Sequence, residues 1–115
     1  MKRSEPSASA FAAASEPGVY LWSCPPGFES SMLLLGWADM LLKSAGSRES
    51  LLALVNYYHN IGWIGDPARD QILAYADGLS TPEASGERDW RADIEVHEKS
   101  LLFVEKLRAV GRRHG

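Results

Sequence analysis

The chain reads as an all-α protein, a small bundle of about four short helices preceded by an extended N-terminal arm. Three observations predict this class. Apolar residues recur at helical spacing in "SSMLLLGWADMLL", "LLALVNYY" and "QILAYA". Helix-start residues and glycine stops punctuate those runs. The one stretch of strand-like composition, "VYLWS" at Val19 to Ser23, is ended at once by Pro25-Pro26-Gly27, too early for it to build a sheet.

The elements follow in order. Ser30 or Ser31 is placed to cap the first helix, on which Leu33, Leu34, Trp37, Met40 and Leu41 share a side. Gly46 stops it. Ser47 caps the second helix, with Glu49 in the first turn where negative charge suits the helix dipole. Leu51, Leu54, Val55 and Tyr58 then mark one buried face. Asp66 is read as the cap of the third helix and Pro67 as its first residue, where the missing N–H costs nothing. Ile72, Leu73 and Ala76 point inward, and Gly78-Leu79 suits a left-handed C-terminal cap.

Between the second and third helices, "NIGWIGDP" predicts a hydrophobic elbow. Gly62 and Gly65 let the backbone turn, while Tyr58, Ile61, Trp63, Ile64 and Pro67 fill the corner. A fully filled corner would make Trp63→Ala cost about 3–5 kcal/mol.

By composition the chain divides into a Ser/Ala-rich tail (1–17), a helical core (18–79), a polar linker (80–91), a last helix (92–110) and a basic tail (111–115). The last helix is apolar on two sides. Val96, Phe103, Leu107 and Val110 form one stripe, and Ile94, Leu101 and Val104 lie largely on the other. Either the helix is buried on both sides within its own domain, or one stripe meets a protein partner or a second copy; the stripe of Val96, Phe103, Leu107 and Val110, with Trp90 near the helix start, is then the expected contact face. Tyr57 joins these as a contact residue, because adjacent helix positions cannot both face inward and Tyr58 holds the inward one.

The 115 residues suffice for one domain, and 45% apolar against 23% charged residues is ordinary globular composition. A net charge of -3 gives no global attraction to nucleic acid or anionic membrane. The single cysteine, Cys24, excludes an internal disulfide and fits a reducing cytoplasm. No apolar run approaches a membrane span, and the start lacks a signal-peptide pattern. His59, His97 and His114 show no metal-ligand spacing, and neither a phosphate loop nor a nucleophile elbow occurs. The reading is of a noncatalytic protein without metal or cofactor. Two functions fit the residues: a helical adaptor that holds other proteins, and a small helix-turn-helix nucleic-acid binder. The second is disfavoured by Asp70 and Asp77 on its presumed recognition helix.

The order Tyr20-Leu21, Pro26, Phe28-Glu29, "LLLGW", Gly46, "LLALVNYYHNIGWI", "ILAYADGL" and "HEKSLLFVEKL" resembles the archaellum accessory family FlaD/FlaE (ArlD/ArlE), in its short stand-alone E type. The paired tyrosines followed by Ile61-Gly62-Trp63-Ile64 are the most specific part. Gly36 stands where that family usually has a carboxylate, and Ser23-Cys24-Pro25 replaces its usual threonine-leucine pattern. The resemblance implies a noncatalytic cytoplasmic component at the base of the archaellum, contacting the motor assembly and a chemotaxis adaptor, with no nucleic acid and no membrane insertion.

Overall fold

The computed structural model describes residues 18–79 and 90–114. The tail (1–17) and most of the linker (80–89) lie outside the described residues. The described chain is all-α: α1 (Phe28–Ala45), α2 (Arg48–Asn60), α3 (Asp66–Asp77), a short 3-10 turn (Trp90–Ala92) and α4 (Ile94–His114).

Helix α1 is the hub, packing against α2, α3 and α4, while α2 and α3 also pack on each other. Its inward side carries Leu34, Trp37, Ala38, Leu41, Leu42 and Ala45, all buried. Leu51, Leu54, Val55 and Tyr58 of α2 and Ile72 and Ala76 of α3 meet them, as their spacing predicts.

The helix ends show which local signals won. Gly46 closes α1 at φ 87, a left-handed conformation that favours glycine, and its N–H bonds to the Leu42 carbonyl. Ser47 caps α2, its side chain accepting from the Ser50 N–H at 3.1 Å. Other ends differ from the sequence reading. Helix α1 begins at Phe28 after Gly27, with no side-chain cap. Ser30 is instead inside the helix with its hydroxyl buried and unpartnered, and the Ser31 hydroxyl accepts from Tyr75 at 3.0 Å. Asp66 is itself the first residue of α3, after Gly65, so Pro67 is one position further in than expected. Asp66 spends its carboxylate on His59 Nε2 at 2.6 Å, tying the ends of α2 and α3 together.

Gly78 does not adopt the left-handed cap. It sits at φ -87, and the last turn tightens with bonds from Gly78 N–H to Tyr75 O and from Leu79 N–H to Ala76 O. The end of α3 is also held from across the fold. Arg48 reaches Ala76 O at 3.1 Å and Leu79 O at 2.6 Å.

Helix α4 runs to His114, through Gly111 and into the expected basic tail. Two contacts hold that extension. Gly111 lies close to the Pro25 ring, and Arg113 pairs with Glu29 at 2.5 Å. The 3-10 turn is another departure, since Trp90 was placed in the linker yet is only 2% exposed.

The arm makes one parallel β-bridge, Leu21 to Ile64, and no further sheet among the described residues. Tyr20 and Leu21 donate to the carbonyls of Gly62 and Trp63, and Gly65 donates to Leu21 O. The side chain of Gln71 clamps the backbone of Cys24 through both its N–H and its C=O. The arm is thereby stitched to the elbow.

Candidate protein-docking surface

The elbow is closed by aromatic packing. Tyr58 is fully buried, and Trp63 stacks on it with ring centroids 5.0 Å apart and planes at 18°. Ile64 is buried through its bridge to the arm. Ile61 is not part of the filled corner; it is exposed at the end of α2. Trp63 is only partly buried and lines an open cleft of about 460 Å³ with Gly18, Val19, Tyr20, Gly62 and Leu101. The buried centre of the elbow is therefore Tyr58. Trp63→Ala is expected to cost about 2 kcal/mol, below the figure for a filled corner, because part of the indole already meets water. Chemical denaturation beside Tyr58→Ala checks the order, with Tyr58→Ala the more damaging.

The start of α4 docks on this centre. His97 Nδ1 and the Tyr58 hydroxyl are hydrogen-bonded at 2.8 Å. Tyr57, Tyr58 and Trp90 surround the imidazole, with centroids 5.7, 5.6 and 6.3 Å away. Trp90 also donates to the Ser50 hydroxyl at 3.1 Å, fixing the 3-10 turn against α2. Further along, Trp37 stacks on Phe103 and donates to the buried Ser100 hydroxyl at 3.1 Å. At the other side of α4, Tyr20 donates to Glu105, and Arg108 lies over the Tyr20 ring.

These contacts decide where the partner-binding residues expected from sequence lie. Val96, Leu107 and Val110 are buried in the chain's own core, as is Trp90. Phe103 is half-buried against Trp37. Their stripe packs on α1, so the free side of α4 is the one carrying Ile94 and Leu102. Val104, placed on the other side by sequence, is fully buried with them. The inward register was hidden by Ser100, a polar residue four positions after Val96 and four before Val104. Tyr57 alone among the six is on the exposed side, at 40%. Ile61, one turn later, and Ile94, one turn before His97, are exposed nearby in sequence register.

The electrostatics are those of a structural block. Burial pushes the Cys24 thiol and the Tyr58 hydroxyl up to about 12 each. Both groups hold their protons more tightly folded than unfolded, where their ordinary values are 9.0 and 10.0. The stability they contribute is complete below the unfolded values and is lost as pH rises towards the folded ones. Melting temperature is expected to fall between about pH 9 and pH 12, and Cys24→Ala or Tyr58→Phe each to flatten part of that slope. Glu105 is held below the usual carboxylate range, chiefly by the hydrogen bond from Tyr20 and further by Arg108. On α3, Arg69 pairs with Asp66 and Asp70 of its own helix. Among the described residues no group of three His, Cys, Asp or Glu side chains could hold a metal, and no helix is long and apolar enough to cross a membrane.

The family model described as archaeal flagella protein matches residues 16–109. The chain is 32% identical over 77 residues to a putative flagella-related protein E of Methanocaldococcus jannaschii, covering 66% of this chain and 54% of that protein. It is 27% identical over 88 residues to a putative flagella-related protein E of Methanococcus voltae, covering 76% and 64%. A putative flagella-related protein D of Methanococcus voltae is 26% identical over 91 residues, which are 76% of this chain and 24% of that longer protein. The chain thus spans less than two thirds of each of these relatives. No solved structure matches it. The model match takes in the arm, the elbow and most of α4, and the chain belongs to the FlaD/FlaE family of archaeal flagella proteins.

Proposed function

We propose that the chain is a noncatalytic adaptor of the archaellum's cytoplasmic motor complex, linking the motor to chemotaxis signalling by protein docking at the base of the filament. The observation that carries this reading is the family match across residues 16–109. The geometry supports it in a specific way. The aromatic residues at the elbow are engaged with one another, so the block is formed before any partner arrives and little ordering cost falls on binding. Tyr57, Ile61 and Ile94, on α2, at its end and at the start of α4, are among the apolar groups left exposed. They serve as the docking contacts, while Trp90 and Val96 fix the start of α4 beside them and Leu107 and Val110 anchor the same helix further along. A signal relayed through the partner acts by shifting how that surface is gripped.

Affinity purification of the full chain from its native cell, with identification of what co-purifies, tests the reading. Motor and chemotaxis components are the expected catch. Tyr57→Glu combined with Ile61→Glu is expected to lower their recovery about tenfold or more, with helicity unchanged. A catch of nucleoid or metabolic proteins alone would overturn the assignment. Undiminished recovery by the double variant would remove this surface from it.

A further inference from the structure

We infer that the outward side of α1 is a self-association surface, on which two copies of the chain pair α1 with α1 antiparallel, crossing at Gly36. This goes beyond the adaptor reading and does not depend on which motor component binds at the elbow.

Phe28, Met32 and Leu35 follow the i, i+4, i+7 spacing of one helix face. They are 81%, 56% and 43% exposed. The same helix buries Leu34, Trp37, Ala38 and Leu41 on its inward side, and beyond Leu35 the row runs into Leu42, which is buried. Three large apolar side chains in a row are therefore left to water by a helix whose core side is already filled, the pattern of an interaction site rather than of scattered surface residues.

Gly36 lies beside that row, in the middle of an 18-residue helix. Glycine is a poor choice there, since alanine is the better helix former. The chain's own packing does not require it. A Cβ at position 36 would meet only the Phe103 ring, at 3.8 Å, an ordinary contact. What the missing side chain leaves is a notch on the exposed face, with the Phe103 ring at its edge, where another helix can approach closely.

Charge selects the occupant and its direction. Glu29 is seven positions before Gly36 and Lys43 seven after it. Both are exposed, in ion pairs with Arg113 and Asp39 of the same chain. Two α1 helices crossing antiparallel at Gly36 place Glu29 of each copy opposite Lys43 of the other, and do so twice by symmetry. A parallel crossing would set Glu29 against Glu29 and Lys43 against Lys43. A two-fold interface needs one patch that complements itself, and this face does so in its apolar row, its central notch and its flanking charges. One helix face provides less than the roughly 800 Å² per partner of a standard stable interface. The dimer is accordingly a weak one, separating on dilution.

Sedimentation velocity on the full chain, from about 1 µM to about 1 mM, tests this. A monomer–dimer equilibrium is expected within that range. Met32→Glu is expected to abolish the dimer with helicity intact. Gly36→Ala is expected to act in two directions at once: it raises the melting temperature of the monomer, as a better helix former, and weakens association about tenfold or more by filling the notch. Glu29→Lys is expected to weaken the dimer and Glu29→Lys with Lys43→Glu to restore it. A monomer at every concentration would overturn the inference. So would a dimer indifferent to Met32→Glu, or one unaffected by Gly36→Ala.

Discussion

Replacing Trp37 by alanine is expected to destabilise the protein by about 3–5 kcal/mol, the largest effect of any single truncation considered. The indole is fully buried at the centre of the hub helix, and it makes two distinct contacts with α4. Its face stacks on Phe103 at 5.9 Å, and its N–H reaches the buried Ser100 hydroxyl at 3.1 Å. Truncation therefore opens a cavity where α1 meets α4 and also removes the donor to Ser100. At about 4–8 °C per kcal/mol for a domain of this size, the melting temperature should fall by about 12 °C or more. Trp37→Phe separates the two contributions, since it keeps most of the volume and loses only the hydrogen bond. Thermal unfolding followed by circular dichroism reads both. A Trp37→Ala variant melting within about 5 °C of the parent would show that α4 is held by its other tethers, from Trp90, Tyr58 and Tyr20.

How far the sequence discloses this structure depends on whether the deciding contact is local. The inward residues of α1, α2 and α3 were legible because a helix buries a face at a fixed period, and Leu54, Val55, Tyr58 and Ile72 follow it. Ser47 and Gly46 were legible because their partners lie within one turn. At Gly78 the local pattern suits a left-handed cap, whereas the end of α3 is held by Arg48, thirty residues earlier, which no local pattern reveals. Trp90 reads as linker from sequence because the polar run before it gives no hint of Ser50, forty residues away. Helix α4 presents two apolar stripes, and nothing in the spacing says which meets α1. Tyr57 was legible for a geometric reason: with Tyr58 committed inward, its neighbour has to point elsewhere. The exposed row on α1 was not. Within "MLLLGW" every position is apolar or small, and dividing that run into core and surface requires knowing where α3 and α4 lie.

The arm offers the second large expected effect, through a position without a side chain. Gly62 sits at φ 86, where an L-residue is strained by about 1–2 kcal/mol. A Cβ there would also lie 2.5 Å from the backbone carbonyl oxygen of Gly18, which has no rotamer by which to yield. Gly62→Ala must therefore push the arm off the elbow. With it go the hydrogen bonds from Tyr20 to Gly62, from Leu21 to Trp63 and from Gly65 to Leu21. Leu21, only 4% exposed, would be uncovered at a further cost of about 1.5–3 kcal/mol. Tyr20 would leave Glu105 and Arg108, so α4 would lose a tether on the side away from Trp37. Amide hydrogen exchange should become fast at Leu21 and Gly65, and the melting temperature should fall by about 8 °C or more. Gly78→Ala is the control. That residue is at φ -87, with its nearest prospective neighbour at 3.7 Å, so alanine should be close to neutral there. A Gly62→Ala protein whose Leu21 amide stays protected would mean that the arm is held chiefly by the Gln71 clamp on Cys24, and that the elbow supports α4 without it.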